Sequence, residues 1–514
     1  MTVAPESTEP ARSRLGVALR EVRASVGARR LPWPILAVGG AMGLVLLLVS
    51  AGYGFHRDEL YFIVAGRHPA FGYVDQPPLT PLISAAVSNM LGVSPTALRL
   101  LPALTAAAIV VLTGLMTREL GGSGRAQLLA SITAALSGVL AEGHLDHTTT
   151  YDLLAWAIIL WLVIRLLAGA DRRLWLAVGL VAGIALENKD TPVFLGSGLA
   201  AGVIVARRWD VLACRWTWAG LALALAVWAP NLGWQVANGF PEVTMAHAIA
   251  GDATANRTLL VPMLLLFAGP LLFPVSIAGL GWLLLGRDGA PWRTVGFAFP
   301  VIVAMVAASG GKFYYAAAFV PVLIAAGAIV LDYWLDGGHG RLRSASFAAA
   351  AAASGATMAL LVLPILPPAV LNSTPIPSLY DTSVEQIGWP QYVATVDGVV
   401  DSLPAAERAH AVVVTGNYAE AAAVELLGTE GVPVYSGHNS YWDWGPPAAD
   451  RTTAILIGIG VGGPLASYFH ECSMAAQINN GYGVDNQEQY QTVWVCTGLR
   501  VPWSQIWPNF RHVD

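Results

Sequence analysis

From Pro34 to Phe55 the chain runs without a single charged side chain, and similar stretches recur as far as residue 366. Roughly 17–25 apolar residues suffice to cross a bilayer as a helix, and within the bilayer every backbone polar group must find its partner inside the segment. This feature leaves one class open to that region, an α-helical polytopic membrane protein. Segments of spanning or near-spanning length are read at 34–53, 97–117, 126–141, 153–169, 174–187, 191–206, 216–235, 258–286, 294–309, 313–335 and 346–367. The expectation is therefore about eleven helices, of which 174–187 and 191–206 are short and separated by Glu187-Asn188-Lys189-Asp190. Composition agrees: only 12% of residues are charged, against roughly 25% in soluble domains.

Charge sets the expected orientation. Residues 1–33 form a basic arm with Arg12, Arg14, Arg20, Arg23, Arg29 and Arg30, too polar and too long for a cleavable signal. Placing this arm in the cytoplasm puts Arg118/Arg125, Arg165/Arg172/Arg173, Arg207/Arg208/Arg215, Arg287/Arg293 and Arg341/Arg343 on the same side, the positive-inside pattern of a cell-membrane protein. An odd number of helices then exports the C-terminal part. Three regions follow: the arm 1–33, a transmembrane domain 34–367 and an extracytoplasmic domain 368–514 with a soluble-type residue mixture.

In that last region 410–428 reads as strand, turn and helix, and 432–436, 453–460 and 492–498 as short strands, a small α/β module. Gly458, Gly460, Gly462 and Gly463 lack the helix and spacing of a phosphate-binding loop. The aromatic run 437–447 has two readings, stacking on a sugar ring or packing as a loop. Cys472 and Cys496 fall in the exported domain, where a disulfide persists, and Cys214 on the reducing side. A Cys472–Cys496 bridge is predicted; two buried free thiols are the alternative. A formal net charge of -5, with no basic patch interleaved with aromatics outside the arm, excludes a nucleic-acid partner.

The chemistry-bearing residues collect in the outer loops. His56-Arg57-Asp58-Glu59 follow the first apolar segment, and His144, Asp146, His147 and Asp152 cluster before and at the start of another. The only two lysines, Lys189 and Lys312, lie in this same set of loops, against the positive-inside bias. Burying an unpaired carboxylate costs several kcal/mol, so adjacent acids at a membrane edge need partners or a task. A general base for sugar transfer to a hydroxyl is one such task; a solvated, ion-paired helix cap is the other reading. Asp152 is equally readable as a helix-start acid favoured by the dipole, and His144, Asp146 and His147 as metal ligands. Lys312 with Tyr314 and Tyr315 offers an ammonium and phenols to a phosphate, or forms a snorkelling and interfacial belt.

The runs "FHRDELYFIVAGRHPAFGYVDQPPLTPL", "ENKDTPVF", "APNLGWQ" and "GGKFYYAAAFVPVLIAAGA", with the acidic start of the helix near 152, resemble one known family. It is that of the membrane glycosyltransferases of the dolichyl-phosphate-mannose-protein mannosyltransferase type, which includes the aminoarabinose transferases of lipid A (glycosyltransferase family 39-like). The resemblance covers roughly residues 34–366. It implies the GT-C fold, an inverting mechanism and a polyprenyl-phosphate-linked sugar as donor. Position by position, it implies Asp58 as catalytic base, Glu59 as its accompanying acid, and Asp152 as a second acid orienting acceptor or base. It sets Lys312 with Tyr314 or Tyr315 at the lipid phosphate, and Lys189 there less directly. His56, Arg57, Asp146 and His147 are site neighbours by adjacency.

No segment resembles the β-trefoil insert of the eukaryotic protein mannosyltransferases, so the expected acceptor is a lipid or glycan of the cell envelope. The activated donor supplies the energy, so no nucleotide site is needed, and a divalent metal ion stays open as an aid to the leaving phosphate. A transporter or flippase of a lipid-linked sugar is the alternative. It is disfavoured because the charges gather at one face and no internal repeat is found. A membrane-anchored sensor would leave the outer carboxylates without a use.

Overall fold

The computed structural model describes residues 32–429, 431–460 and 467–513. The six arginines of the expected basic arm, and Gly462 and Gly463, lie outside the described residues. The first helices are α1 (Trp33–Val49), α2 (Arg57–Arg67), α3 (Leu79–Leu91), α4 (Leu100–Glu119), α5 (Gly124–Ala135), α6 (Thr148–Leu167), α7 (Leu174–Leu186), α8 (Pro192–Val205) and α9 (Arg215–Ala237). After them come α10 (Pro241–Gly251), α11 (Ala253–Phe267), α12 (Phe273–Leu285), α13 (Arg293–Ser309), α14 (Val320–Asp336) and α15 (Gly340–Val362).

Among the described residues, Pro95–Glu119, Thr148–Leu167, Ala290–Ser309 and Gly340–Val362 are long and apolar enough to cross a membrane by length and composition; further apolar helices are shorter. At 1.5 Å per residue a helix like α7 rises only about 20 Å, so length alone does not reach the expected eleven spans. The segment expected at 258–286 is two helices, α11 and α12. Gly269, at φ +102, and Pro270, which has no N–H to donate, break it. The segment expected at 313–335 likewise restarts at α14, whose first turn holds Pro321. Helices α2, α3 and α10 occupy stretches that the sequence reading left as loops.

Lipid tails supply no hydrophobic drive between helices, so close backbone packing must. At Gly179 of α7 an added Cβ would sit 2.0 Å from the carbonyl oxygen of Gly220 in α9, so these two helices touch backbone to backbone. Around α4 and α6 a buried cluster containing Ile109, Val110, Trp156 and Leu160 forms the core of the bundle.

The C-terminal part contains α16 (Trp389–Ser402), β1 (Ala411–Thr415), α17 (Tyr418–Leu427), β2 (Val434–Ser436), β3 (Thr453–Ile457), β4 (Glu471–Gln477) and β5 (Thr492–Thr497). Its sheet runs β2-β1-β3-β5-β4, parallel between β2, β1 and β3 and antiparallel from β3 to β5 to β4. The strand–turn–helix read over 410–428 is β1 and α17; β4 is a strand that the sequence reading missed. Cys472 and Cys496 are register partners across β4 and β5, and their sulfurs are bonded. Cys214 is a buried free thiol.

Asn417 and Glu420 close a capping box at the start of α17. One buried cluster joins Leu60, Tyr61 and Val64 of α2 to Val396 of α16 and Ala419, Ala422 and Ala423 of α17. The sheet module is therefore packed directly on the helix that carries Asp58 and Glu59.

Candidate active site

Helix α2 begins where His56 stops the preceding chain. The His56 ring accepts from the Asp58 N–H at 3.2 Å, and the Glu59 carboxylate accepts from the His56 N–H at 2.8 Å. This reciprocal cap satisfies two helix-end donors and fixes both acids at the first turn.

The two acids then part in role. Glu59 is fully buried and receives Arg99 Nε at 2.8 Å, Arg99 Nη2 at 2.7 Å and the Asp146 N–H at 3.0 Å in addition to its cap bond. Burial pushes its carboxyl up, but Arg99 outweighs burial and brings it to about 2. With every lone pair engaged, Glu59 is an anchor for the loop carrying Asp146. Asp58 keeps 33% of its side chain exposed and gives one oxygen, Oδ1, to the Tyr418 hydroxyl at 2.8 Å. Burial raises its pKa, yet His56, His147 and Arg57 together carry it below the ordinary carboxylate value. It is an ionised carboxylate facing a cavity of about 340 Å³.

Asp58, Asp75, Lys189, Tyr314, Tyr315 and Tyr418 line that cavity. Lys189 Nζ donates to Thr148 Oγ1 at 3.1 Å and Thr149 Oγ1 at 2.9 Å, and lies 4.8 Å from the centre of the Tyr314 ring. No carboxylate is paired with it at salt-bridge distance among the described residues. Lys312 is exposed at the rim; the cavity wall there is Gly311, Tyr314 and Tyr315. Of the two lysines, it is Lys189 that stands inside. Asp152 is buried behind the wall, where it accepts from Thr191 at 2.5 Å, and does not line the cavity. Asp146 is brought close but is held by Ser84 and Tyr151, both at 2.6 Å, and burial pushes its carboxyl up to about 7.

Several participants escaped the sequence reading. Asp75 sits in the run "GYVDQPPL" as a lone acid before two prolines. It accepts from Tyr61 at 3.0 Å and Asn439 at 3.2 Å, and burial pushes it to about 7. Glu385 binds His56 Nε2 at 2.9 Å and Arg57 at 3.3 Å, and these partners offset burial to hold it at about 2. Glu385, Tyr418 and Asn439 come from the C-terminal part, and no local pattern announces contacts across some 300 residues or more. The aromatic run 437–447 mostly packs: Trp444 stacks on His68 at 4.2 Å and Tyr441 is buried.

His56 Nδ1, His147 Nε2 and Asp58 Oδ2 form a triangle with sides of 3.1, 3.9 and 3.9 Å. A point equidistant from all three lies about 2.1 Å from each, the length of a zinc–nitrogen bond. This donor set, two imidazoles and a carboxylate, fits a divalent ion; His144 is not part of it. An ion bound there would add positive charge beside the cavity and engage the Asp58 oxygen that Tyr418 leaves free.

The family model described as dolichyl-phosphate-mannose-protein mannosyltransferase matches residues 75–234, a range that includes Asp75 and Lys189 but stops short of Asp58. The solved structure of ArnT from Cupriavidus metallidurans bound to undecaprenyl phosphate superposes with a TM-score of 0.57 at 15% identity, over 89% of this chain and 97% of that one. The apo form of the same protein gives 0.59 at 13% identity over the same shares. The archaeal oligosaccharyltransferase AglB from Archaeoglobus fulgidus gives 0.49 at 14% identity, over 77% of this chain and 63% of that one. No curated protein matches the sequence at a significant level. Likeness at such identities is one of fold, and with the family model it agrees with the motifs of the sequence: this helical membrane protein resembles the GT-C membrane glycosyltransferases of the dolichyl-phosphate-mannose-protein mannosyltransferase type.

Proposed function

We propose that the protein is an inverting glycosyltransferase that moves a sugar from a polyprenyl-phosphate donor to a hydroxyl of a lipid or glycan acceptor at the outer face of the cell membrane. The observation that carries this reading is one cavity with an ionised, one-third-exposed Asp58 and Lys189, a lysine with no carboxylate at salt-bridge distance among the described residues. Asp58 accepts the proton of the acceptor hydroxyl while that oxygen bonds to the anomeric carbon. The bond from that carbon to the phosphate oxygen breaks on the opposite side, and its electron pair leaves with the polyprenyl phosphate. Lys189 and the phenols of Tyr314 and Tyr315 meet the charge that develops on the phosphate. Lys312 serves at the entrance. ArnT binds undecaprenyl phosphate, and a polyprenyl phosphate is the donor carrier inferred here.

The same reading takes residues 34–367 as about eleven spans, the N-terminus as cytoplasmic, and 368–514 as an extracytoplasmic domain that closes over the site. Purified protein incubated with a synthetic polyprenyl-phospho-sugar and a mixture of envelope lipids is expected to transfer sugar, and Asp58→Asn to lose transfer. Full turnover in that variant removes the base assignment. Movement of the donor across vesicles without transfer would identify a flippase instead.

A further inference from the structure

A second cavity, of about 290 Å³, lies far from Asp58 and is lined by Arg207, Arg208, Arg293 and Thr294. Helix α13 starts at this cavity with Arg293 and Thr294, and ends at Ser309, which lines the candidate active site. Its 17 residues rise about 25 Å, so the two cavities open at opposite ends of one long apolar helix. Helix α8 makes the same journey in reverse, from the Lys189 loop to Arg207.

Three features mark this cavity as built for an anion. Arg208 is spent, with Nε and Nη2 on Asp210 at 2.8 and 2.9 Å. Arg207 and Arg293, however, have no carboxylate partner among the described residues, and Arg293 Nε is buried without a hydrogen-bond partner. Thr294 is 2% exposed, lines the cavity, and its hydroxyl has no partner either. The Arg293 N–H already bonds to the carbonyl of Ala290, in the helical turn Ala290–Trp292 that leads into α13, so what this end of the helix adds is the positive potential of its dipole. A hydroxyl buried without a partner is destabilising, a cost that a bound acceptor oxygen would relieve.

The surroundings identify the source of that anion. Trp209, next to Arg208, is exposed, an aromatic side chain of the kind found at the headgroup level. Ile204, Val205 and Leu285 are exposed alongside, an apolar surface that an acyl chain can cover. We infer that Arg207, Arg293 and Thr294 bind the phosphate of an anionic phospholipid in the leaflet opposite the candidate active site. Basic pockets between spanning helices have the right chemistry for such headgroups, and the geometry is independent of the sugar-transfer reading.

The test uses the full chain in a mild detergent with an equimolar mixture of phosphatidylglycerol and phosphatidylcholine, retained lipid being identified by native mass spectrometry. The wild type is expected to retain phosphatidylglycerol preferentially, and Arg207→Gln with Arg293→Gln to lower that preference by about tenfold or more. Arg207→Lys with Arg293→Lys should keep most of it. Thr294→Val, which is close in volume and keeps both arginines, should weaken it severalfold and serves if the glutamine pair does not fold. Equal retention of the two lipids by the wild type overturns the inference, as does an unchanged preference in Thr294→Val and the glutamine pair. Inorganic phosphate alone provides the last arm. If it raises the unfolding midpoint of the wild type but not of Thr294→Val, while phosphatidylglycerol is not retained, the site takes a soluble anion and the lipid assignment falls.

Discussion

The Tyr418 hydroxyl donates to Asp58 Oδ1 at 2.8 Å, so a residue of the sheet module holds the carboxylate at the mouth of the membrane helices. The same ring packs against Tyr61 at 4.6 Å and lies 5.1 Å from the guanidinium of Arg57. A hydrogen bond to a charged group contributes about 1.5–3 kcal/mol. If this one orients Asp58 for proton transfer, Tyr418→Phe lowers kcat by about tenfold or more and leaves KM for the donor unchanged. A purely structural Tyr418 would lower the unfolding midpoint instead, so transfer kinetics and thermal unfolding measured on one preparation separate the two.

Glu59 and Arg99 are 0% and 1% exposed and joined by two hydrogen bonds. Removing one partner of a buried pair strands the other, at a cost of about 3–5 kcal/mol. Arg99→Met should therefore destabilise severely, and Glu59→Gln combined with Arg99→Met should recover much of the loss. The pH dependence has a definite sign. Glu59 is depressed from its ordinary value to about 2, so its contribution is complete above about pH 4.5 and is lost as pH falls through about 2. Unfolding midpoints of wild type and Glu59→Gln should diverge above that range and converge below it.

Asp75 has the opposite sign. Burial raises it to about 7, so the stability linked to its protonated form is complete below about pH 4 and is lost as pH rises through about 7. The unfolding midpoint of the wild type relative to Asp75→Asn should decline over this window and level off above it. A flat difference would mean that Asp75 titrates as an ordinary surface acid.

The helical class was legible because uncharged runs leave the backbone no other way to pair inside a bilayer, and 55% hydrophobic residues repeat that message many times over. The His56–Glu59 cap was visible as four adjacent ionisable residues, but which acid stays free depends on Arg99, 40 residues away and itself buried. The position of Asp152 was hidden for a related reason: the start of a helix can be read from sequence, whereas Thr191, which donates to this acid and itself lines the cavity, belongs to another helix boundary. The partners of Tyr418, Glu385 and Asn439 were fixed only when the sheet module packed on α2, so even the run 437–447, which holds Asn439, did not point to Asp75. The breaks at Gly269 and before Pro321 were written in the sequence and outweighed by the length of the apolar runs around them.

Lys189 and Lys312 provide a test of position against residue type. Both are lysines in the loops of one face, but only Lys189 lines the cavity, held by two threonine hydroxyls next to Tyr314. Lys189→Met should slow transfer by about a hundredfold, within the range of about 2.7–4 kcal/mol seen when a stabilising donor is removed. Lys312→Met should mainly raise KM for the donor, by less than tenfold. Equal effects on kcat would return Lys312 to the phosphate.

An ion at His56, His147 and Asp58 sets a condition on the base. With Tyr418 on Oδ1 and an ion on Oδ2, each Asp58 oxygen would keep one lone pair, but the ion's charge would make the carboxylate a weaker base. Binding would also replace the 3.1 Å hydrogen bond between the two imidazoles, since both nitrogens must turn lone pairs to the ion. Zinc should therefore stabilise the protein and slow it at once. At a hundredfold excess over Kd the gain in unfolding free energy is about 2.7 kcal/mol, and the same zinc should depress sugar transfer, with EDTA restoring it. His147→Ala should lose both effects while retaining some transfer without zinc. Acceleration by zinc in the wild type would show that the proton goes to another acceptor, and Asp75, in the same cavity, would be the first residue to substitute.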